Sequence, residues 1–535
     1  MISKITMLLL LLITINSYAQ EDAWVYLTDK PNEATALANP ISILTQKAID
    51  RKQNHGVAID ARDVPVHEPY IANLKTQTGI TVLAKSKWFN AVHVRGTETD
   101  INALSALAYV DSIDFANNNL DAPSRASVVN NKTKIEDQLV DFTYGDTQNQ
   151  VEMINADNLH LLDYTGENIT IAVLDSGFPN VNTMAAFQRL RTNGDLLDGY
   201  DFVTRNADVY ANTASSHGTR VLSTMAAFIQ DEFVGTAPDA SYYLFITEDA
   251  TSENPVEESY WVEAAERADS LGVDIINTSL GYRVFDNPNY DYTPADMNGQ
   301  VAYITKGASI AAEKGILIVV SAGNSGATAW QTVGAPADSP DVLTVGGVDD
   351  NGDYVSFSSQ GGAAQVGYQK PDVVARGGLA YVVDEDNNIN QNNGTSLSAP
   401  ILCGGIASLW EAIPDTTPTE VMDLVRQSAS QYTTPDDLLG YGIPDLDLAR
   451  SLGLGEEQID SFNFYPNPVT TQLNFSLISN IDYTITLNNQ LGQEVLRTKL
   501  NATHNAINVE GLSTGLYVMQ VSSESTTKTF KLIKQ

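Results

Sequence analysis

Two hydrophobic periods divide the chain. In AWVYLTD (residues 23–29) and SKWFNAVHVRG (86–96), apolar and polar positions alternate with the two-residue period of a half-buried strand. TETDINALSALAYV (97–110) changes period, placing Ile101, Leu104, Leu107 and Ala108 on one helical face behind a Thr97…Asp100 pair of capping-box type. DSIDFA (111–116) returns to a strand. These segments predict a small α+β module over residues 20–144, with the polar stretch APSRASVVNNKTKIED (122–137) as a linker.

Beyond residue 145 the strands become continuous apolar runs: NITIAVLD, SYYLFIT, VDIINTSL, ILIVVSAG and DVLTVGGV. The helices EESYWVEAAERADSLG and GQVAYITKGASIAAEKG lie between them, which predicts an α/β doubly wound parallel sheet over residues 145–455. Sites in such sheets lie just past the carboxyl ends of strands. Past the GLGEEQ linker, QLNFSL, YTITL, LYVMQV and KTFKLIKQ alternate again, predicting a small C-terminal β-sandwich over residues 460–535.

Composition narrows the function. A net charge of −36 argues against a nucleic-acid partner, which would require a basic face, and favours a soluble exported protein. The lone Cys403 excludes an internal disulfide and sits in an apolar run, where it reads as a small core residue. Lys4, the apolar run 5–15 and Ser17-Tyr18-Ala19 form a secretory signal over residues 1–19, cut after Ala19. That run is too short for a membrane span, which needs about 20 residues, and the mature protein is expected to have none.

Three reactive residues stand at strand ends or helix starts of the α/β region. Asp175 follows the apolar run 171–174. His217, flanked by Ser216 and Gly218, opens a segment with an apolar stripe at Val221, Leu222 and Met225; the other histidine of the region, His160, reads as structural. NNGTSLSAP (392–400) supplies two serines, either of which could be a plain helix cap. Together, a carboxylate, an imidazole and a hydroxyl are what serine nucleophilic catalysis requires.

VLDSG, HGTRV and GTSLSAP, in this order, resemble the catalytic signatures of the subtilisin-like serine proteases. The resemblance spans roughly residues 148–455 and implies the subtilisin fold, with Asp175 orienting, His217 as general base and acid, and Ser396 as nucleophile. Ser398 then has no catalytic part. It also implies an oxyanion-hole amide from Asn324 in VVSAGNSG, and substrate binding by Ser279, Leu280 and Gly281 in NTSLG and by Ser321, Ala322 and Gly323. A polypeptide substrate follows, paired in β-augmentation. The quoted positions carry no acid, so an apolar primary preference is expected.

The resemblance raises calcium as a ligand of such enzymes, but no metal ligand is assigned. DDNGD (349–353) has Gln360 where an EF-hand loop needs its twelfth-position glutamate, so a turn is expected there. Residues 88–116 resemble a subtilase prosegment, which implies an intramolecular inhibitor and folding aid, released by a cut between about residues 122 and 148. FYPNPV, LSTGLYVMQV and KTFKLIKQ resemble the C-terminal sorting domain recognised by type IX secretion machinery, implying a secreted or cell-surface protein of a Gram-negative bacterium. Two alternatives stay open: a serine hydrolase or peptide ligase of another substrate class, and an inactive surface-binding module that keeps the fold. Loss of a triad residue would mark the second, and none is lost.

Overall fold

A computed structural model describes residues 20–117, 120, 142–211, 213–454, 463–476, 483–489, 493–500, 505–522 and 527–535. The expected signal and most of the expected cleavage linker fall outside these residues. Two compact units result, Met1–Pro444 and Asp445–Gln535.

In the first unit, strands β1 (Gln20–Leu27), β2 (Thr81–Ser86), β3 (Ala91–Thr97) and β4 (Val110–Phe115) form an antiparallel sheet in the order β2-β3-β1-β4. The alternation in β1 sorts its side chains. Ala23, Val25 and Leu27 enter the module's own core with Val92, Val94, Ile101 and Leu104, whereas Trp24 joins a core that also holds Trp261 and Tyr303 of the α/β region. The two regions therefore share one hydrophobic core. The expected helix after β3 is short, Glu98–Ala103, and continues as a 3-10 turn over Leu104–Ala106. Its Thr97 cap accepts from the Asp100 N–H as the sequence suggests.

Between β1 and β2 lies α1 (Gln46–Asn54), which binds the α/β region through charge. Arg51 and Lys52 both reach Asp269, at 2.5 and 2.7 Å, while Lys314 reaches Asp63 at 2.8 Å. All five side chains are buried. Charges withdrawn from water this far depend on their partners, so loss of any one would be strongly destabilising.

The large sheet is parallel throughout. Its strands are β5 (Thr170–Asp175), β6 (Leu196–Asp201), β7 (Ser241–Ile246), β8 (Ile275–Thr278), β9 (Leu317–Ser321), β10 (Leu343–Val348) and β11 (Val373–Arg376), in the order β11-β10-β9-β8-β5-β7-β6. Strands β5, β9 and β10 are buried along their whole length, which is why they read as unbroken apolar runs. Helices α2 (His217–Ala226), α3 (Val256–Leu271), α4 (Tyr303–Glu313) and α5 (Thr395–Ala412) connect or cover them. Helix α5 runs through the core: Ile401, Leu402, Cys403, Ile406 and Leu409 are all fully buried. From β7 the chain passes through α3 to β8, on the other side of β5. The carboxyl end of β5 is thus a topological switch point.

The second unit holds a three-stranded and a four-stranded antiparallel sheet. Leu473, Phe475 and Ile507 from the first share one core with Ile485, Leu487, Met519 and Val521 from the second, as in a sandwich. Asn467 of the PNP motif donates to Lys531 O and accepts from the Ile533 N–H, fixing the motif to the last strand.

Candidate active site

Asp175 ends β5, and its carboxylate is almost wholly buried. Oδ1 accepts from the Ser176 N–H at 2.7 Å, and both oxygens face His217 Nδ1, at 2.8 and 3.0 Å. A nitrogen facing a carboxylate carries the proton in neutral imidazole, so Nε2 is left as the acceptor. The negative charge of Asp175 holds the His217 pKa above its ordinary range, against the opposing effect of burial. Gly218 makes the pairing sterically feasible: a Cβ there would lie 2.6 Å from Gly177 O and 3.0 Å from Asp175 Cβ. Helix α2 can approach β5 only because that position has no side chain.

His217 and Ser396 line one cavity of about 250 Å³, together with Asn324 and all six residues expected to bind substrate. Ser396 is the second residue of α5, where unpaired N–H groups and the positive end of an 18-residue helix lie beside its hydroxyl. Pro400 lacks the N–H that would otherwise close onto the Ser396 carbonyl. Ser398 is fully buried and donates to Thr395 O at 3.0 Å, so its hydroxyl is spent inside the helix.

Thr395, which the sequence did not single out, ties the site together. Its N–H donates to Asn324 Oδ1 at 2.9 Å, its Oγ1 lies 3.1 Å from the same oxygen, and it accepts from the Gly323 N–H at 3.0 Å. A backbone N–H can only donate, which fixes the Asn324 amide with Nδ2 turned away from Thr395. Asn324 Nδ2 and Ser396 Oγ lie within 3.7 and 2.8 Å of the point a Gly394 Cβ would occupy, so residue 394 must leave that space open. The signal in the sequence was the Thr immediately before the nucleophile-type Ser.

The backbone at Ser279, Leu280 and Gly281 continues β8, and that at Ser321, Ala322 and Gly323 continues β9. Gly281 is exposed, whereas Ser279 and Ala322 are buried. Elsewhere, Asp349 Oδ1 accepts from the Asn351 and Asp353 N–H groups, a self-capped turn whose carboxylate serves its own backbone. Among the described residues no group of three or more His, Cys, Asp or Glu side chains converges as a cation site. His160 is buried between Tyr144 and the Thr236 carbonyl, and burial pushes its pKa down to about 4.

Residues 166–442, more than half of the chain, match the model of the family described as "Subtilase family". The chain belongs to the subtilase family. Residues 22–134 match "Peptidase S8 propeptide domain, Bacteroidota", and residues 463–535 match "Secretion system C-terminal sorting domain". Subtilisin E of Bacillus subtilis (strain 168) is 30% identical over 282 residues, covering 52% of this chain and 65% of its own length. Subtilisin of Bacillus pumilus is 30% identical over 301 residues, covering 56% of this chain and 97% of its own. The solved MycP3 protease of the type VII (ESX-3) secretion system has a TM-score of 0.46 at 20% identity, with 59% of this chain and 91% of that one covered. This subtilase thus carries a propeptide domain before its protease region and a sorting domain after it. The sorting domain indicates secretion or display at the cell surface in Bacteroidota. Among the described residues no helix is long and apolar enough to cross a membrane.

Proposed function

We propose that this subtilase is an exported serine endopeptidase, made as a zymogen, that cleaves peptide bonds through an acyl-enzyme intermediate. The observation that carries this reading is the Asp175–His217 pair opening onto the cavity that Ser396 and Asn324 also line. His217 Nε2 takes the Ser396 proton as Oγ attacks the scissile carbonyl. Asp175 steadies the imidazolium, and Asn324 Nδ2 with the Ser396 N–H receives the oxyanion. The imidazolium then returns its proton to the leaving amine, and water repeats the sequence on the ester. A polypeptide substrate is supported by the two strand-extending backbones at 279–281 and 321–323, whose small residues leave room for an extended chain.

The matched propeptide domain is proposed to block and template the protease until cleaved, and the tail to engage type IX secretion machinery. The test is mature enzyme against a casein-like protein and against ester substrates, with a serine-directed phosphonate. Proteolysis that vanishes in Ser396→Ala, with the label on Ser396, is expected. Ester hydrolysis without proteolysis would indicate a hydrolase of another class, and no labelling with no turnover would indicate a binding module. In Ser396→Ala, mass spectrometry should find the prosegment still attached.

A further inference from the structure

The cavity beside Ser396 is not the apolar slot expected from the sequence. Among the described residues that line it, Leu280 and Ala322 are the only ones with aliphatic side chains, and none is acidic. Two hydroxyls stand on its wall. Ser359 Oγ accepts from the Ser325 N–H at 3.0 Å and lies 3.1 Å from the point a Gly323 Cβ would occupy, while its own proton has no acceptor among the described residues. Ser325 Oγ makes no hydrogen bond to any of the described residues. The remaining charged lining group besides His217 is Arg283.

Arg283 is fixed by its surroundings. On one side Tyr282 pairs with Ala335 through two backbone hydrogen bonds, of 2.8 and 3.1 Å, and the Arg283 carbonyl accepts from the Tyr292 N–H at 2.9 Å. Its guanidinium carbon lies 5.8 Å from the centre of the Trp330 ring, a contact that orients the cation and leaves its N–H groups free. No carboxylate among the described residues comes within ion-pair distance of it. Glu253 is near enough to feel its charge, but burial pushes that carboxyl up to about 7 and it forms no pair. A partly buried guanidinium with five donors, no acceptor and no partner is matched by a carboxylate.

We propose that Arg283 is a specificity residue that receives an acidic side chain, glutamate in particular, at the substrate position seated in this cavity, with Ser325 and Ser359 donating to the same carboxylate. The inference rests on the endopeptidase reading. It assigns the substrate class that the triad alone leaves open: extended polypeptides cut after an acidic residue. A glutamine in the same place would keep the shape and lose the charge, so the Glu-to-Gln ratio isolates the contribution of Arg283.

The test uses mature enzyme processed from the full chain, normalised by phosphonate titration of Ser396. Fluorogenic peptides would differ only in the residue before the scissile bond: Glu, Gln, Leu, Phe or Lys. Wild type should cleave the Glu peptide about tenfold or more faster in kcat/KM than the Gln peptide, as expected for a charge pair shielded from water. Arg283→Gln should bring that ratio to about one, Arg283→Lys should restore part of it, and Arg283→Glu should turn the preference toward Lys. A wild type that prefers Leu or Phe, or a Glu-to-Gln ratio unmoved in Arg283→Gln, would overturn the assignment while leaving the endopeptidase reading intact. Failure of every peptide together with an unlabelled Ser396 would instead sink that underlying reading.

Discussion

Asp175 carries two responsibilities that substitution can separate. It sets the His217 tautomer, and its charge raises the His217 pKa. A general base must be neutral, so kcat/KM should fall as pH drops through that raised value. In Asp175→Asn the main cause of the shift is gone and burial, which acts downward, remains. The imidazole titration followed by NMR should therefore move to lower pH, with turnover reduced on the order of 10⁴-fold, as in triads generally. An unmoved titration would show that the carboxylate does not govern the imidazole. Asn324→Leu should lower kcat roughly 100- to 1,000-fold with little change in KM. Equal effects on both would assign Asn324 to ground-state binding instead. Arg283 and Thr395 belong at the same scale, and the sequence reading singled out neither. A half-buried loop arginine and a threonine among other small polar residues have no periodicity, and only the fold shows what stands opposite them.

Among the elements, the five inner strands of the large sheet were the most readable, because burial on both faces leaves mainly apolar positions to occupy, while the edge strands β6 and β11 went unread. The end of one such strand pointed to Asp175 in advance, whereas Ser279 and Asn324 came from the resemblance to subtilases. What stayed hidden was polar structure held by charge or by turns. Helix α1 binds through Arg51 and Lys52, so its contact face is cationic and gives no hydrophobic stripe. In the hairpin of Ala380–Val383 and Ile389–Asn392, which leads the chain into α5, the first strand is mostly buried, and the second, with Asn390 and Gln391 exposed, is polar and carries no apolar alternation. Helix α2 offers a direct test of how closely elements must approach. Gly218→Ala inserts a methyl 2.6 Å from Gly177 O, forcing α2 away from β5. A displacement of about 1 Å would cost roughly 100-fold in kcat/KM. Melting temperature should change far less than activity, and parallel losses would mean that the glycine serves folding rather than alignment.

For the whole molecule, the joint between prosegment and protease region contains its own titration. Glu266 on α3 accepts from Ser86 Oγ and from the Lys87 and Trp88 N–H groups. Burial nonetheless pushes its carboxyl up to about 7 from the ordinary 4.5, against these bonds and the charge of Lys87. The joined form therefore retains a proton that the separated form releases. Association must weaken as pH rises from about 4.5 to about 7. Release of the cleaved prosegment, followed by size-exclusion chromatography, should accelerate across that window, and Glu266→Gln should flatten the dependence. A wild-type rate independent of pH would rule Glu266 out as the controlling group.

The position of Cys403 gives the molecule a built-in clock for unfolding. It lies two turns along the helix that begins at Thr395, wholly enclosed, with burial raising its thiol far above the ordinary value. Thiolate is the species that alkylating reagents attack. A maleimide can therefore find this sulfur only in molecules whose central helix, which also carries Ser396, has left the sheet. The alkylation rate of wild type would count complete openings of the core one by one, with no engineered label and no competing thiol in the chain.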